Sequence, residues 1–258
     1  MATNAPIVFY DIPGRDPERK AWASNTWNTR FALNYKGLKY RTEWIEYPDI
    51  EGLYKKLGIP ATSKKADGSD WYTLPVIHDP STNTIISDSL LIARYLDKAY
   101  PNTPPLFPKG THAIQAGFIE AVDDAMTRAI YPLVAVFVAN YVSEESGKFF
   151  RATREPRLGK LEELAPWGTE KAEQVWQRAE KSFGRVADWL DANKLDGTTG
   201  SFVFGESISH VDLFIGGRLI WARTVWGEDS KEWKRLTVWH GGRWEKFLQA
   251  LDKYAAIL

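Results

Sequence analysis

Cysteine is absent from all 258 residues. That removes disulfides, thiolate metal ligands and any cysteine nucleophile. Net charge is absent too, because 33 Lys and Arg balance 33 Asp and Glu. The balance holds locally: 13 basic and 12 acidic residues precede Pro108, and 20 and 21 follow. Neither half carries the basic excess that grips a phosphate backbone, so nucleic-acid binding is not expected. No apolar run approaches about 18 residues, so no membrane span is expected. The first residues, Met1 to Pro6, lack a basic stretch leading into an apolar one, and no Asn-x-Ser/Thr acceptor occurs. A cytoplasmic location is expected. Histidines number four, at 78, 112, 210 and 240, and stand too far apart for metal-ligand spacing, so no metal is expected. Gly205 to Ser209 lacks the second glycine of a nucleophile elbow, and Gly216-Gly217 and Gly241-Gly242 make no phosphate loop. What the chain does have is tryptophan, 12 in all, within a 14% aromatic share. Such rings point to wide apolar surfaces or a pocket for flat ligands.

The first hundred residues alternate strand and helix signals. Ile7 to Tyr10 is an apolar, β-rich run read as a buried strand. Trp27, Phe31, Ala32 and Tyr35 fall at helical spacing, and Gly37 ends that helix. A strand is expected over 40–45, a short helix over 49–57 and a polar loop over 61–70. Two strands follow, over 74–77 and 84–87, and Asp88-Ser89 opens a helix that stops at Pro101. Residues 101–108 contain four prolines and read as a semi-rigid linker. Beyond it the pattern is helical only. Ile114, Phe118, Val122, Met126, Ala129, Leu133, Val136, Phe137 and Tyr141 form one stripe, with Pro132 as the expected kink. Further helices are expected over 150–164, 168–192, 209–226 and 240–255. Ser209 and Asp212 have capping-box spacing, with Ile208 and Leu213 placed as a hydrophobic staple. The expected architecture is α/β plus all-α. Residues 1–100 form a thioredoxin-like domain, 101–108 the linker, and 109–258 a helical bundle.

Four motifs in this order carry a resemblance: Ser24 to Arg30 at the first helix, Leu74-Pro75-Val76 at a strand start, Ser87-Asp88-Ser89 at a helix start, and Ser209-x-x-Asp212. Together they resemble the cytosolic glutathione transferases across nearly the whole chain. Trp27 to Gly37 and the long insert before Leu74 are most similar to the fungal-specific class A group, itself similar to bacterial β-etherases. The resemblance implies glutathione as cosubstrate and a homodimer. It implies a cis Leu74-Pro75 bond, with the Val76 N–H and C=O turned outward to pair with the cysteinyl backbone of glutathione, as a strand edge pairs with a peptide. Ser89 and neighbouring N–H groups would hold the γ-glutamyl carboxylate, and Asp88 its ammonium. Both residues also suit capping of their own helix. Lys64 or Lys65 would meet the glycyl carboxylate.

The thiol must ionise near neutral pH, below its free value of about 8.5. Ser24 stands at the start of the first helix. Aligned on Lys36-Gly37, however, Ala23 falls where the etherases carry Ser, and Ser24 where they carry Pro. Ser24, Asn25 or backbone N–H groups therefore remain the alternatives for activation. Absent cysteine disfavours Cys-type thiol transfer. A hydrophobic second-substrate site is expected between the domains. Its candidates are Pro13 and Trp22 in the first loop, Phe118, Val122 and Met126 in the first back-half helix, and Trp221, Thr224, Val225 and Trp226. Trp221 and Trp226 are five positions apart, about 140° of helix, so at most one is expected to line the pocket. The function implied is glutathione transfer to aromatic electrophiles for detoxification, with peroxidase or β-etherase-like chemistry as variants. A non-catalytic ligand-binding or regulatory protein on the same fold is the alternative; the fold also hosts ligand-storing transferases and a yeast nitrogen regulator.

Overall fold

The computed structural model describes residues 5–65 and 67–258. Strand β1 (Ile7–Asp11) is buried throughout, as an apolar run covered on both faces must be. It pairs parallel with β2 (Tyr40–Trp44) and antiparallel with β5 (Val76–Asp79), and β6 (Thr84–Ser87) completes the order β2-β1-β5-β6. The parallel pair is joined by helix α1 (Ser24–Tyr35), which ends before Gly37 at φ 65. A left-handed residue there costs glycine nothing. Helix α2 (Ile50–Leu57) follows β2, and α3 (Ser89–Ala99) follows β6.

The stretch read as a loop over 61–70 contains a hairpin instead. Strands β3 (Ser63–Lys64) and β4 (Asp70–Trp71) pair antiparallel. Lys64 meets Asp70 at 2.5 Å, and the Asp67 carboxylate accepts from the Ser69 N–H and hydroxyl. Two residues per strand are too few for alternation to register in a sequence.

The linker is fastened from below. The Asp97 carboxylate accepts the N–H groups of Leu106 and Phe107 and pairs with Lys36 Nζ at 2.7 Å. Helix α4 (His112–Val122) then runs into a π-helical turn, Asp123–Thr127, before α5 (Arg128–Tyr141). The interruption lies one turn before Pro132, which sits inside α5. A π turn inserts one extra residue, so a stripe of constant period slips by one position across it. A second departure lies wholly within α4, where the two four-residue steps from Ile114 to Val122 overshoot two turns by about 80°. Gln115, Ile119 and Val122 are the buried face of α4, whereas Ile114, counted in the stripe, is 67% exposed.

Helices α6 (Glu144–Leu158) and α7 (Leu161–Leu164) replace the single helix expected over 150–164. Helix α8 (Glu170–Asp191) is capped by Thr169. Helix α9 (His210–Trp226) is buried along almost its whole length and starts with the Ser209–Asp212 capping box. Gly216 and Gly217 bring α9 against α1: a Cβ on Gly217 would lie 2.4 Å from Asn28 Oδ1 and 2.8 Å from the Ser24 carbonyl oxygen. Helix α10 (Lys231–Thr237), capped by Ser230, has no counterpart in the sequence reading. Helix α11 (Trp239–Gln249) has left-handed backbone at His240, Gly241 and Gly242, so no continuous helix spans 240–255. The result is a thioredoxin-like mixed sheet with its helices, followed by a helical bundle centred on α9. Among the described residues, no helix is long and apolar enough to cross a membrane.

Candidate functional site

The α1–α9 contact sets the floor of a cleft between the two halves. Two adjoining cavities of about 230 Å³ each share Asn25, Thr73, Leu74 and Asp123. One is polar and adds Asp88, Ser89, His210 and Arg218; the other is aromatic and adds Trp22, Ser24, Tyr47, Trp71, Tyr131, Phe149, Phe150, Arg154 and Trp221.

In the polar cavity, Asp88 is the N-cap of α3. Its Oδ1 accepts from the N–H groups of Leu90 and Leu91 at 2.9 and 3.0 Å, which leaves Oδ2 outside the cap. The Ser89 hydroxyl accepts from Asn28 Nδ2 at 3.3 Å, so its own hydrogen remains to be donated. The Leu74–Pro75 bond is cis. Val76 does not face outward. It lies in β5 in register with Tyr10 on one side and Ser87 on the other, so both flanks are occupied by strands. Leu74, one residue before the proline, is the residue whose N–H and C=O have no partner among the described residues. The unpaired main chain beside the cis bond is therefore that of Leu74, and Val76 is part of the sheet.

Helix α1 begins without a side-chain cap. Its N-cap is Ala23, and Ser24 occupies the first helical position. The amides of Ser24, Asn25 and Thr26 have no intrahelical acceptor, so they add to the positive end of the helix dipole. The Ser24 carbonyl and Asn25 Oδ1 accept from the Arg218 guanidinium at 3.2 and 2.9 Å, and Arg218 also donates to Asn28 Oδ1. Burial lowers the Arg218 pKa to about 10, which still leaves it charged at neutral pH. This buried cation, with Asp123 3.8 Å away, fixes the start of α1 and adds to its positive field. Phenols do not compete for the role of activating base. Burial raises Tyr47 to about 12, and it raises Tyr131 and Tyr10 as well.

Several expected lining residues lie elsewhere. Trp22 and Trp221 line the aromatic cavity. Trp226 packs on Trp176 with centroids 5.5 Å apart and donates from its indole to the Leu133 carbonyl. Thr224 and Val225 line neither cavity. Val122 and Met126 are core residues with no exposure, and Phe118 meets Trp189 edge to face. Pro13 is bridged to Ala21. Lys64 is tied to Asp70, and Lys65 lies 5.3 Å over the Trp71 ring; neither lines the cleft. Among the described residues, no group of three or more His, Asp or Glu is placed to hold a metal ion.

The sequence reading missed Asn28, Thr73, Tyr131, Arg154 and Arg218. Only Arg218 gave a signal, as the one charge in the apolar centre of 209–226. The others meet the cleft through contacts between elements distant in sequence.

A family model described as "Glutathione S-transferase, N-terminal domain" matches residues 22–99, and one described as "Glutathione S-transferase, C-terminal domain" matches 113–254. A glutathione S-transferase-like protein, ustS, of Aspergillus flavus is 30% identical over 242 residues, covering 90% of this chain and 84% of that protein. The crystal structure of glutathione transferase GSTFuA3 from Phanerochaete chrysosporium superposes with a TM-score of 0.93 at 44% identity, covering 99% of this chain and 100% of that one. A Ceriporiopsis subvermispora glutathione S-transferase, solved in complex with glutathione, gives 0.93 at 45% identity, with 98% and 99% covered. The β-etherase LigF from Sphingobium sp. strain SYK-6 shares the fold alone, at 13% identity and a TM-score of 0.54, covering 95% of this chain and 100% of that one.

Proposed function

The chain belongs to the glutathione S-transferase family, and on that premise we propose that it transfers glutathione to hydrophobic aromatic electrophiles. In this reading the γ-glutamyl carboxylate takes the Ser89 hydroxyl, and its ammonium takes the free oxygen of Asp88. The cysteinyl backbone pairs with the main chain of Leu74. The thiol then faces the start of α1. Its proton leaves to water, and the thiolate is held by amide N–H groups or by the Ser24 hydroxyl. The thiolate attacks the electrophilic carbon, a C–S bond forms, and the leaving group departs. Rings of Trp22, Trp71, Phe149, Phe150 and Trp221 would hold the aromatic partner.

The observation that carries this reading is the uncapped start of α1 opening onto an aromatic cleft beside the unpartnered Leu74 backbone. A relative at 45% identity was solved with glutathione, which supports the cosubstrate. Residues 1–100 would then supply the glutathione side, 109–258 the acceptor side, and 101–108 the connection. A homodimer, a cytoplasmic location and a detoxifying role belong to the same reading. One observation favours a second reading, a non-catalytic ligand-binding protein: the N-cap of α1 is Ala23, which brings a methyl group and no hydroxyl to that turn. Calorimetric titration with glutathione, followed by turnover of activated aryl halides, aryl ethers and hydroperoxides, separates the two. Binding with turnover supports the transferase, binding without turnover the second reading, and no binding refutes glutathione as the ligand.

A further inference from the structure

The aromatic cavity contains one cation, Arg154 on α6, and the positive end of α1 accounts for a thiolate without it. Its guanidinium carbon lies 4.5 Å from the centroid of Phe150, 5.3 Å from Tyr47 and 5.4 Å from Trp71. Tyr47 is itself stacked on Phe149 at an interplanar angle of 11°. This cage of rings holds the guanidinium plane at little further entropic cost. Arg154 makes no ion pair among the described residues; it donates to the hydroxyl of its neighbour Thr153 and lies beside the Tyr131 phenol. The contrast with Arg218, the cation of the polar cavity, is direct. Arg218 spends its donors on Ser24, Asn25, Asn28 and Thr127 and has Asp123 nearby. A guanidinium has five N–H donors arranged to meet a planar oxyanion with two bonds. A half-buried one whose acceptors are two neutral hydroxyls, Thr153 and Tyr131, facing a cavity, is short of such a partner.

We propose that Arg154, with the Tyr131 hydroxyl beside it, forms a carboxylate-binding subsite in the aromatic half of the cleft. The inference rests on the cleft being the ligand site described above, and it takes over the role the sequence reading assigned to Lys64 or Lys65. Two ligands can bring the carboxylate: the glycyl end of glutathione, or an acceptor that is an aromatic acid.

Two ligand pairs separate these sources. The first is glutathione and its glycyl carboxamide, titrated by calorimetry. The second is cinnamate and cinnamamide, titrated without glutathione by quenching of the cleft tryptophans. Wild type should prefer the carboxylate in at least one pair by about tenfold, the scale of a charge-assisted hydrogen bond. Arg154→Gln should erase that preference while leaving carboxamide affinity unchanged. Arg154→Lys, which keeps the charge and loses the fork, should retain part of it and serves if the Gln variant fails to fold. No preference in either pair for wild type overturns the proposal. So does a preference that survives in Arg154→Gln, or an equal loss for acid and amide, which is what a purely structural role in the ring stack would give. If neither form of glutathione binds wild type, the glutathione reading fails by itself, and the cinnamate pair alone decides for or against the subsite.

Discussion

At the start of α1, Ser24 brings a hydroxyl to a turn whose main-chain N–H groups have no cap. Two activators of the same thiol therefore sit side by side, and substitution distinguishes them. If the hydroxyl donates to sulfur, Ser24→Ala should shift the pH–rate profile to higher pH while glutathione affinity holds. If the amides and helix dipole suffice, the rate near neutral pH should change less than about threefold, because those donors remain. Superimposable profiles would remove Ser24 from catalysis. Ser89 is a simpler case. Its hydroxyl is already held by Asn28, so Ser89→Ala should cost a hydrogen bond to a charged group, about 1.5–3 kcal/mol, and weaken glutathione at least about tenfold. Unchanged affinity in calorimetry would rule out the assignment. His210 makes a prediction about pH. It is fully buried with neither ring nitrogen partnered among the described residues, and burial lowers its pKa to about 3. Unfolded histidine takes a proton near pH 6.5, so between there and about 3 the unfolded state binds more protons. Stability is then complete above about 6.5 and falls as pH drops, by up to about 1.4 kcal/mol per unit. Asp212, raised to about 6 by burial, acts oppositely, because the native state holds its proton first. Denaturant melts of wild type and His210→Leu from pH 7 to 4 isolate the histidine. The variant should lose less stability on acidification, and parallel curves would contradict this.

Elements place these residues, and the α1–α9 contact matters most. Gly217→Ala would drive a methyl group into Asn28 Oδ1 and the Ser24 carbonyl, the same atoms that Arg218 holds. Overpacking of this kind costs about 1–3 kcal/mol. The variant should melt lower and conjugate more slowly, because the start of α1 must move. Gly117→Ala in α4 is the control. Nothing lies within 4 Å of its added Cβ, so the gain in helix propensity, up to about 1 kcal/mol, should raise stability. Equal melting temperatures for Gly217→Ala and wild type would contradict the close-packing account. Sequence legibility at this scale followed physical rules. Strand β1, α1 with its terminal Gly37, the Asp88 cap and the Ser209–Asp212 box were readable because each rests on local chemistry. The β3–β4 hairpin was too short to show a period, and repeated four-residue steps drifted Ile114 off the buried face of α4. The Leu74-Pro75-Val76 motif says where the chain turns; only the strand pairing shows that Leu74, and not Val76, stays unpaired.

On the scale of the whole molecule, the cleft exists because two halves of different architecture meet along buried α9. The polar end of the cleft is built on the sheet and α3, whose motifs announce themselves. Its aromatic end draws Tyr47, Trp71, Tyr131 and the α6 pair Phe150 and Arg154 from segments distant in sequence, which is why the sequence showed many tryptophans but could not choose among them. Trp226 went to the core and Trp221 to the cleft through the same helix, since only one side of α9 faces the opening. The central claim is that glutathione lies extended against Leu74 with its sulfur at the start of α1. A crystal structure of the chain with glutathione tests it most directly. The account predicts the cysteinyl N–H and C=O within hydrogen-bond distance of the Leu74 main chain, the γ-glutamyl carboxylate on Ser89, and the sulfur nearest Ser24 and Asn25. Glutathione bound outside the cleft, or in it with the γ-glutamyl end among the rings of Tyr47 and Phe150, would contradict it.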